Sequence, residues 1–360
     1  MGAIALSPTN IVNNQLTYDK DNTYISIYKY EESPEIMIKE GDVIFVKTGS
    51  TVGKVAYVDR LICKTTLNPQ VVVLKDIKCD NYILSVIMST RKFQNKIQRI
   101  TVGGAVPTLS QVAMGNLFIS LPTAKEQEKI SKFISLLDER IATQNKIIEK
   151  MQTLIKGLND SLYELYGNGI TTSFAELGHS YSGLSGKTAN DFGTGKPFIT
   201  YLNVYSNNIV NENDYQYVRI NEGEKQNVVK YGDVLFTLSS ETPEEVGVGS
   251  VFLGKEEVLL NSFCFGIHIE NEEQVYSPYL SYYVSSTPFR KFIYPFAQGS
   301  TRFNLCKADF EKASIKLPLL ENQIHIYAIL NSIAEKIETE EMMFEKYLIQ
   351  KQYLLRQMFI

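Results

Sequence analysis

The chain is written twice, and any fold assigned to it must divide into two like halves. Lys39-Glu40-Gly41-Asp42-Val43-Ile44-Phe45 returns as Lys230-Tyr231-Gly232-Asp233-Val234-Leu235-Phe236. Ser89-Thr90-Arg91-Lys92-Phe93 returns as Ser286-Thr287 and, after Pro288-Phe289, Arg290-Lys291-Phe292. The turn Gly103-Gly104 matches Gln298-Gly299, and Leu121-Pro122 with Gln127 matches Leu317-Pro318 with Gln323. The offset grows from 191 to 196 through small insertions. Each copy is a mixed strand-and-helix domain followed by a long helix. The chain therefore divides into a first domain (1–122), a helix (123–165), a second domain (166–317) and a second helix (318–360).

The two helices carry apolar residues at alternating steps of three and four, the signature of a coiled-coil seam. In the first these are Ile130, Ile134, Leu137, Ile141, Ile148, Met151, Ile155, Leu158 and Leu162, with Asn145 in the missing rung. The second has Ile326, Leu330, Ile333, Ile337, Phe344, Tyr347, Lys351, Leu354 and Met358, with Glu341 opposite the asparagine rung. Thr123-x-x-Glu126 after Pro122 is a capping box that starts the first helix, and Gly167-Asn168-Gly169 ends it. Duplicated units pack around a pseudo-twofold axis, which makes the two helices an antiparallel coiled coil. Asn145 and Glu341 then form a polar layer at its midpoint, or both simply face solvent.

The remaining segments read as α+β domains. Strands are expected at Val43–Val46, Lys54–Val58, Val71–Leu74, Val234–Leu238, Gly249–Leu253 and Cys264–Ile269, punctuated by turns of Gly, Asn, Ser and Pro. Met1 aligns near Phe192, so the first domain lacks a counterpart of residues 167–191.

Several function classes are disfavoured by what is missing. No apolar run approaches the ~18 residues of a membrane span, and the amino terminus has neither signal-peptide nor myristoylation character; a cytoplasmic location is expected. Cys63, Cys79, Cys264 and Cys306 form no CxxC pair, and His179, His268 and His325 are scattered without metal-ligand spacing, so no metal is expected. Gly49-Ser-Thr-Val-Gly53-Lys54 has its glycines one residue too close for a phosphate loop, with Val55 where Ser or Thr must stand, and reads as a hairpin turn. Phe192-Gly193-Thr194-Gly195 lacks the strand and the catalytic tetrad of a methyltransferase. No carboxylate cluster of a nuclease and no Ser-His-Asp arrangement presents itself. The chain is not expected to be an enzyme or to hold a cofactor.

What remains suits binding. Net charge is −4 overall, but residues 1–122 carry 13 Lys and Arg against 10 Asp and Glu, while 166–317 carry 12 against 17. A DNA surface must therefore be a local patch. Lys92, Lys96 and Arg99, with Arg91, lie opposite the apolar stripe Phe93, Ile97 and Ile100 on a helix leading into the loop Thr101–Ser110. The second copy has Arg290 and Lys291 before a loop with Gln298, Arg302 and Asn304. Lys and Arg suit phosphates, and Arg, Gln and Asn suit base edges; a solvated helix face is the alternative. Lys47, Thr48, Ser50, Thr51 and Lys54, and in the second copy Ser239, Ser240 and Glu241, occupy equivalent loops after the Gly-Asp strand.

Gly-Asp-Val-Leu-Phe-Thr-Leu-Ser-Ser-Glu-Thr-Pro-Glu-Glu-Val-Gly (232–247), Leu-Pro-Thr-Ala-Lys-Glu-Gln-Glu-Lys-Ile (121–130) and the duplicated plan resemble type I restriction-modification specificity subunits over nearly the whole chain. The resemblance implies two target-recognition domains, each reading half of a split, asymmetric site on double-stranded DNA. It also implies a helical ruler that fixes the unread spacer, and docking of two methyltransferase (modification) subunits and a restriction subunit. S-adenosylmethionine, ATP, Mg and the chemistry of methylation and cleavage then belong to those partners. The alternatives are a specificity-like decoy that holds methyltransferase subunits without reading DNA, and a coiled-coil protein-interaction scaffold.

Overall fold

A computed structural model describes residues 2–18 and 22–359. Met1 and Ile360, the outer limits of the first domain and the second helix in the sequence reading, lie outside the described residues, as do 19–21. The fold is mixed α+β, and the chain forms two compact units, residues 1–145 with 342–360, and residues 146–341.

The main elements of the first unit are strands β1 (Ala3–Leu6), β2 (Thr23–Ile25), β3 (Val43–Val46), β4 (Val55–Tyr57), β5 (Thr65–Leu67) and β6 (Val71–Leu74). Helices α1 (Asn81–Ser89), α2 (Arg91–Ile100) and α3 (Gln111–Gly115) follow, and then the long α4 (Ala124–Tyr166). One sheet has the order β2-β1-β5, with β5 parallel to β1; the other has β4-β3-β6, all antiparallel.

The second unit opens with β7 (Ile170–Thr172), α5 (Phe174–Leu177) and β8 (Gly178–Ser182). It continues with β9 (Phe192–Ile199), α6 (Tyr201–Ser206), β10 (Tyr215–Val218), β11 (Val234–Thr237), β12 (Ser239–Ser240), β13 (Gly249–Val251), β14 (Leu259–Leu260) and β15 (Cys264–Ile269). Then come α7 (Ser277–Tyr283), α8 (Thr287–Ile293), β16 (Ala297–Gln298), β17 (Phe303–Leu305), α9 (Lys307–Lys312), β18 (Ile315–Leu317) and the long α10 (Leu320–Met358). Its sheets repeat those of the first unit: β10-β9-β14, with β14 parallel to β9, and β13-β11-β15, extended by β8 on the far side of β15. The six strands expected from the sequence are all present.

The shared motifs are the joints of this plan. Gly41 and Gly232 take φ of 90° and 86° at the turn that opens β3 and β11, where a side chain is strained. The next residue closes the turn: Asp42 accepts the Lys39 N–H at 3.0 Å and Asp233 that of Lys230 at 2.8 Å. Both carboxylates are buried. Asp42 pairs with Lys75 at 3.0 Å, whereas Asp233 accepts the Tyr181 hydroxyl at 2.7 Å and lies 2.8 Å from His268 Nδ1. Burial pushes the Asp233 carboxyl up, opposed by these hydrogen bonds. The strand registers make Lys75 and His268 counterparts, so one position holds the cation in one copy and the imidazole in the other. His179 and His268, scattered in sequence, are neighbours across β8 and β15 with rings 4.9 Å apart.

The Leu-Pro…Gln motif is a latch. Gln127 donates to the Pro122 carbonyl at 2.8 Å and accepts the Asp80 N–H at 3.0 Å. Gln323 does the same with Pro318 and Tyr276, and also donates to Gln274. Each long helix is thereby tied to the start of α1 or α7. Gln323 is fully buried, so Gln323→Ala strands several polar groups. It is expected to cost about 2–3 kcal/mol in a denaturant melt. Gln127→Ala is expected to cost less, because that site is half open to water.

Thr123 and Glu126 form the anticipated capping box, the Glu126 carboxylate accepting the Thr123 N–H at 2.8 Å. In the first unit α4 and α10 run antiparallel, since Asp138 pairs with Lys351 and Arg140 donates to Tyr347. In the second unit Gln152 donates to Glu341 across the pair. Asn145 and Glu341, expected as polar seam residues, lie one residue out of the phase of their own helices. Both face solvent, and the buried polar positions are Gln144 (2% exposed) and Glu340 (8%). Strict three-four alternation requires this, because Ile141-Gln144-Ile148 and Ile337-Glu340-Phe344 keep the phase that Asn145 and Glu341 would break.

Candidate nucleic-acid interface

The loops after the two Gly-Asp strands are built on one frame. In the second unit β12, β17 and β16 form a small antiparallel sheet pairing Ser239 with Asn304, Ser240 with Phe303, and Gln298 with Asn304. In the first unit the frame is reduced to bridges of Thr48 and Val102 with Thr108. Leu109 N–H bonds the Lys47 carbonyl and Leu305 N–H the Leu238 carbonyl, both at 2.8 Å. Each tip turns on a glycine: Gly103 (φ 103°) and Gly299 (φ 143°). A Cβ there would meet the carbonyl oxygen of Val106 or Arg302 within 2.6 Å. Gly103, not Gly104, is therefore the partner of Gly299.

On this shared frame the tips carry unlike side chains. Val102, Val106 and Thr108 of the first stand where Gln298, Arg302 and Asn304 stand in the second. Val102 and Val106 are exposed, as are Gln298, Arg302 and Asn304. Arg302 Nε donates to Ser239 Oγ at 3.3 Å, and its guanidinium lies 5.9 Å from the exposed Phe263 ring.

Neighbouring elements complete the second surface. Tyr201 donates to the Ser239 carbonyl at 2.9 Å and stacks with Tyr205 one helical turn on. Ser240 Oγ donates to Glu245 at 2.9 Å. Hydrogen bonds from Tyr205 and Ser240 hold the Glu245 carboxyl below its usual range, so it presents negative charge. Tyr201, Tyr205, Phe263 and Glu245 were not anticipated. A signal was present in Ser7-x-x-Asn10 and Thr200-x-x-Asn203, whose buried asparagines tie equivalent turns in both units.

A family model for the type I restriction modification DNA specificity domain matches twice, over residues 6–153 and 183–343. The chain belongs to that family. The MjaX specificity subunit of Methanocaldococcus jannaschii is 25% identical over 348 residues, 88% of this chain and 76% of the relative. The MjaVIII specificity subunit of the same organism is 27% identical over 129 residues, and that match spans 36% of this chain and 29% of the relative. The fold is similar to a type I restriction-modification S subunit from M. genitalium, with a TM-score of 0.54, 14% identity and coverage of 100% of this chain and 92% of that one. The chain thus carries two type I restriction modification DNA specificity domains.

Within the specificity domains the anticipated residues fall into three groups. Ser239, Ser240, Gln298, Arg302 and Asn304 meet at the second tip, with exposed Glu241 on the loop that follows β12. Thr48 lies in the first frame, beside the Gly49–Gly53 turn with Ser50 and Thr51; both glycines have positive φ, as a hairpin turn needs. The remaining residues are basic, and several of them are engaged within the protein. Lys54 donates to the Ile11 carbonyl and Lys96 to that of Phe118, and Lys92 shares a groove with Lys96 and Leu121. Arg290 is clamped on the Glu244, Val246 and Gly247 carbonyls at 2.6–2.7 Å, and burial lowers its pKa. Arg91, Arg99 and Lys291 are exposed, and Lys47 is half-buried. Among the described residues no group of three His, Cys, Asp or Glu could hold a metal ion, and no helix is long and apolar enough to cross a membrane.

Proposed function

We propose that each specificity domain reads one half of a split, asymmetric site on double-stranded DNA through the tip carried on its frame, and that α4 and α10 set the unread spacer. The observation that carries this reading is one frame bearing two different sets of tip side chains. Arg302 suits guanine, and Gln298 and Asn304 suit adenine; Val102 and Val106 suit the apolar methyl of thymine. Lys47, Ser50, Thr51, Arg91, Arg99 and Lys291 supply phosphate contacts, while Arg290 holds the Glu244–Gly247 loop in place.

Methylation and cleavage reside in partners. Two modification subunits dock on the helices, with a restriction subunit joining them, and S-adenosylmethionine, ATP and Mg act there, in the cytoplasm. The test is modified-base sequencing of DNA from cells making this chain with a modification subunit. A split motif of fixed spacing, lost on deletion of the chain, is expected. Arg302→Ala should weaken binding about tenfold to hundredfold and relax the half read by the second domain alone. A uniform loss across sequences would mean that Arg302 contacts phosphate only.

A second reading, a decoy that holds modification subunits without reading a full site, is favoured by the first tip, whose exposed Val102 and Val106 side chains offer no hydrogen bond to a base edge. Co-purification without any motif would select it.

A further inference from the structure

One turn outside the tips is built alike in both copies. Asn68-Pro69-Gln70 leads into β6, and Asn261-Ser262-Phe263 leads into β15. In each, the asparagine side chain accepts the N–H of the third residue, Gln70 or Phe263, at 2.9 Å. The asparagine carbonyl accepts the following N–H, from Val71 at 3.1 Å and from Cys264 at 3.0 Å. An asparagine that bonds its own backbone two residues on fixes such a turn without help from the third side chain. The carbonyl of that third residue is bonded at 2.9 Å by the N–H of Lys47 or Leu238. Those same two residues hold the tips, through their own carbonyls, at Leu109 and Leu305. Turn and tip thus share one fastening. The third side chain is left outside: Gln70 is exposed and Phe263 is 56% exposed, although Val71 and Cys264 just after them are buried. Each also leans on the tip of its own unit. A Cβ on Gly49 would touch Gln70 Nε2 at 3.4 Å, and the Gly49 N–H bonds the Pro107 carbonyl of the first tip at 2.9 Å. The Phe263 ring lies 5.9 Å from the Arg302 guanidinium of the second.

We infer that this third residue is a further specificity determinant in each domain, with Gln70 reading a base edge by hydrogen bonds and Phe263 making apolar contact with one. The inference rests on the reading of the tips proposed above. Glutamine suits adenine, through paired bonds to N6 and N7, and phenylalanine suits the methyl of thymine. In the first domain Gln70 supplies the hydrogen-bonding group that Val102 and Val106 lack. In the second Phe263 has an added part, because its ring steadies the guanidinium of Arg302. The turn keeps its shape through asparagine and main chain alone, so this position is open to exchange in the way the tips are.

The test selects bound duplexes from a randomised pool with the full chain and a modification subunit, and reads base preference position by position. Gln70→Ala should relax one adenine position about tenfold in the half read by the first domain and leave the other half unchanged. Gln70→Phe should turn the preference at that position from adenine to thymine, a change that loss of folding does not produce. Phe263→Ala should relax one thymine position in the other half and also weaken the preference set by Arg302. Arg302→Ala is the reference. If it relaxes the second half while the Gln70 and Phe263 variants keep every preference, the inference falls and the reading of the tips stands. If no variant, Arg302→Ala included, alters either half, both fall together. A loss for Gln70→Ala that is equal on all sequences would mean that the turn touches phosphate only, and it too overturns the inference.

Discussion

Asp233→Ala is expected to destabilise the second unit by about 3–5 kcal/mol, read from a denaturant melt or from hydrogen exchange of β11 and β15. The carboxylate is buried with three partners, the Lys230 N–H, the Tyr181 hydroxyl and His268 Nδ1. Alanine leaves them without that partner, and each stranded polar group costs about 1–3 kcal/mol. Asp233→Asn is the informative companion. Its amide oxygen can accept from Lys230 and Tyr181 while its NH₂ donates to the imidazole, so a loss within about 1 kcal/mol is expected. Asp42→Ala should do less harm than Asp233→Ala, because Lys75 is 41% exposed and its ammonium can turn to water. Equal losses at Asp42 and Asp233 would mean that the turn alone, not the burial of its partners, sets the cost.

Inserting seven residues into each long helix, after Gln144 and after Glu340, is expected to change the DNA site rather than the reading of its halves. Each helix gives one part of its length to each unit. A whole heptad preserves the seam phase and adds about 10 Å. The modified motif should keep both half-sites and gain a spacer about three base pairs longer. Those base pairs also turn the groove by roughly a third of a turn, so affinity for the longer site should fall below that of the parent pair. An unchanged spacer would remove the ruler role from α4 and α10. Inserting four residues in one helix alone breaks the seam and should abolish binding at every spacing.

The duplicated plan was legible because its markers are local: a glycine at positive φ, an aspartate closing its own turn, a glutamine latched five residues back. The seam was legible too, but its phase slipped where polar residues interrupt it. Asn145 looked like the rung because asparagine is the familiar polar seam residue, while alternation placed Gln144 there. The site was harder to see. Arg290 resembled a phosphate ligand, yet its partners are carbonyls more than forty residues earlier in the chain. Tyr201 and Phe263 reach the second tip from a helix and a loop that no spacing rule connects to it. Lys92 and Lys96 formed a convincing basic face, but the fold directs it to the groove beside Leu121.

Main-chain bonds at Thr108 and Asn304 fasten the glycine-hinged tips to their frames, and in the second tip Arg302 adds a side-chain bond to Ser239. The residues between hinge and fastening, 104–107 and 300–302, can thus be exchanged at little cost to the core, whereas Phe303 packs against it. If the tips read the bases as proposed, selection can rewrite one half of the recognised word by point mutation while the other half, and the interval between them, stay as they were. With modification by a partner as proposed, a lineage carrying such a chain can then change its self-mark stepwise, provided that its own DNA is re-marked before the old one is lost.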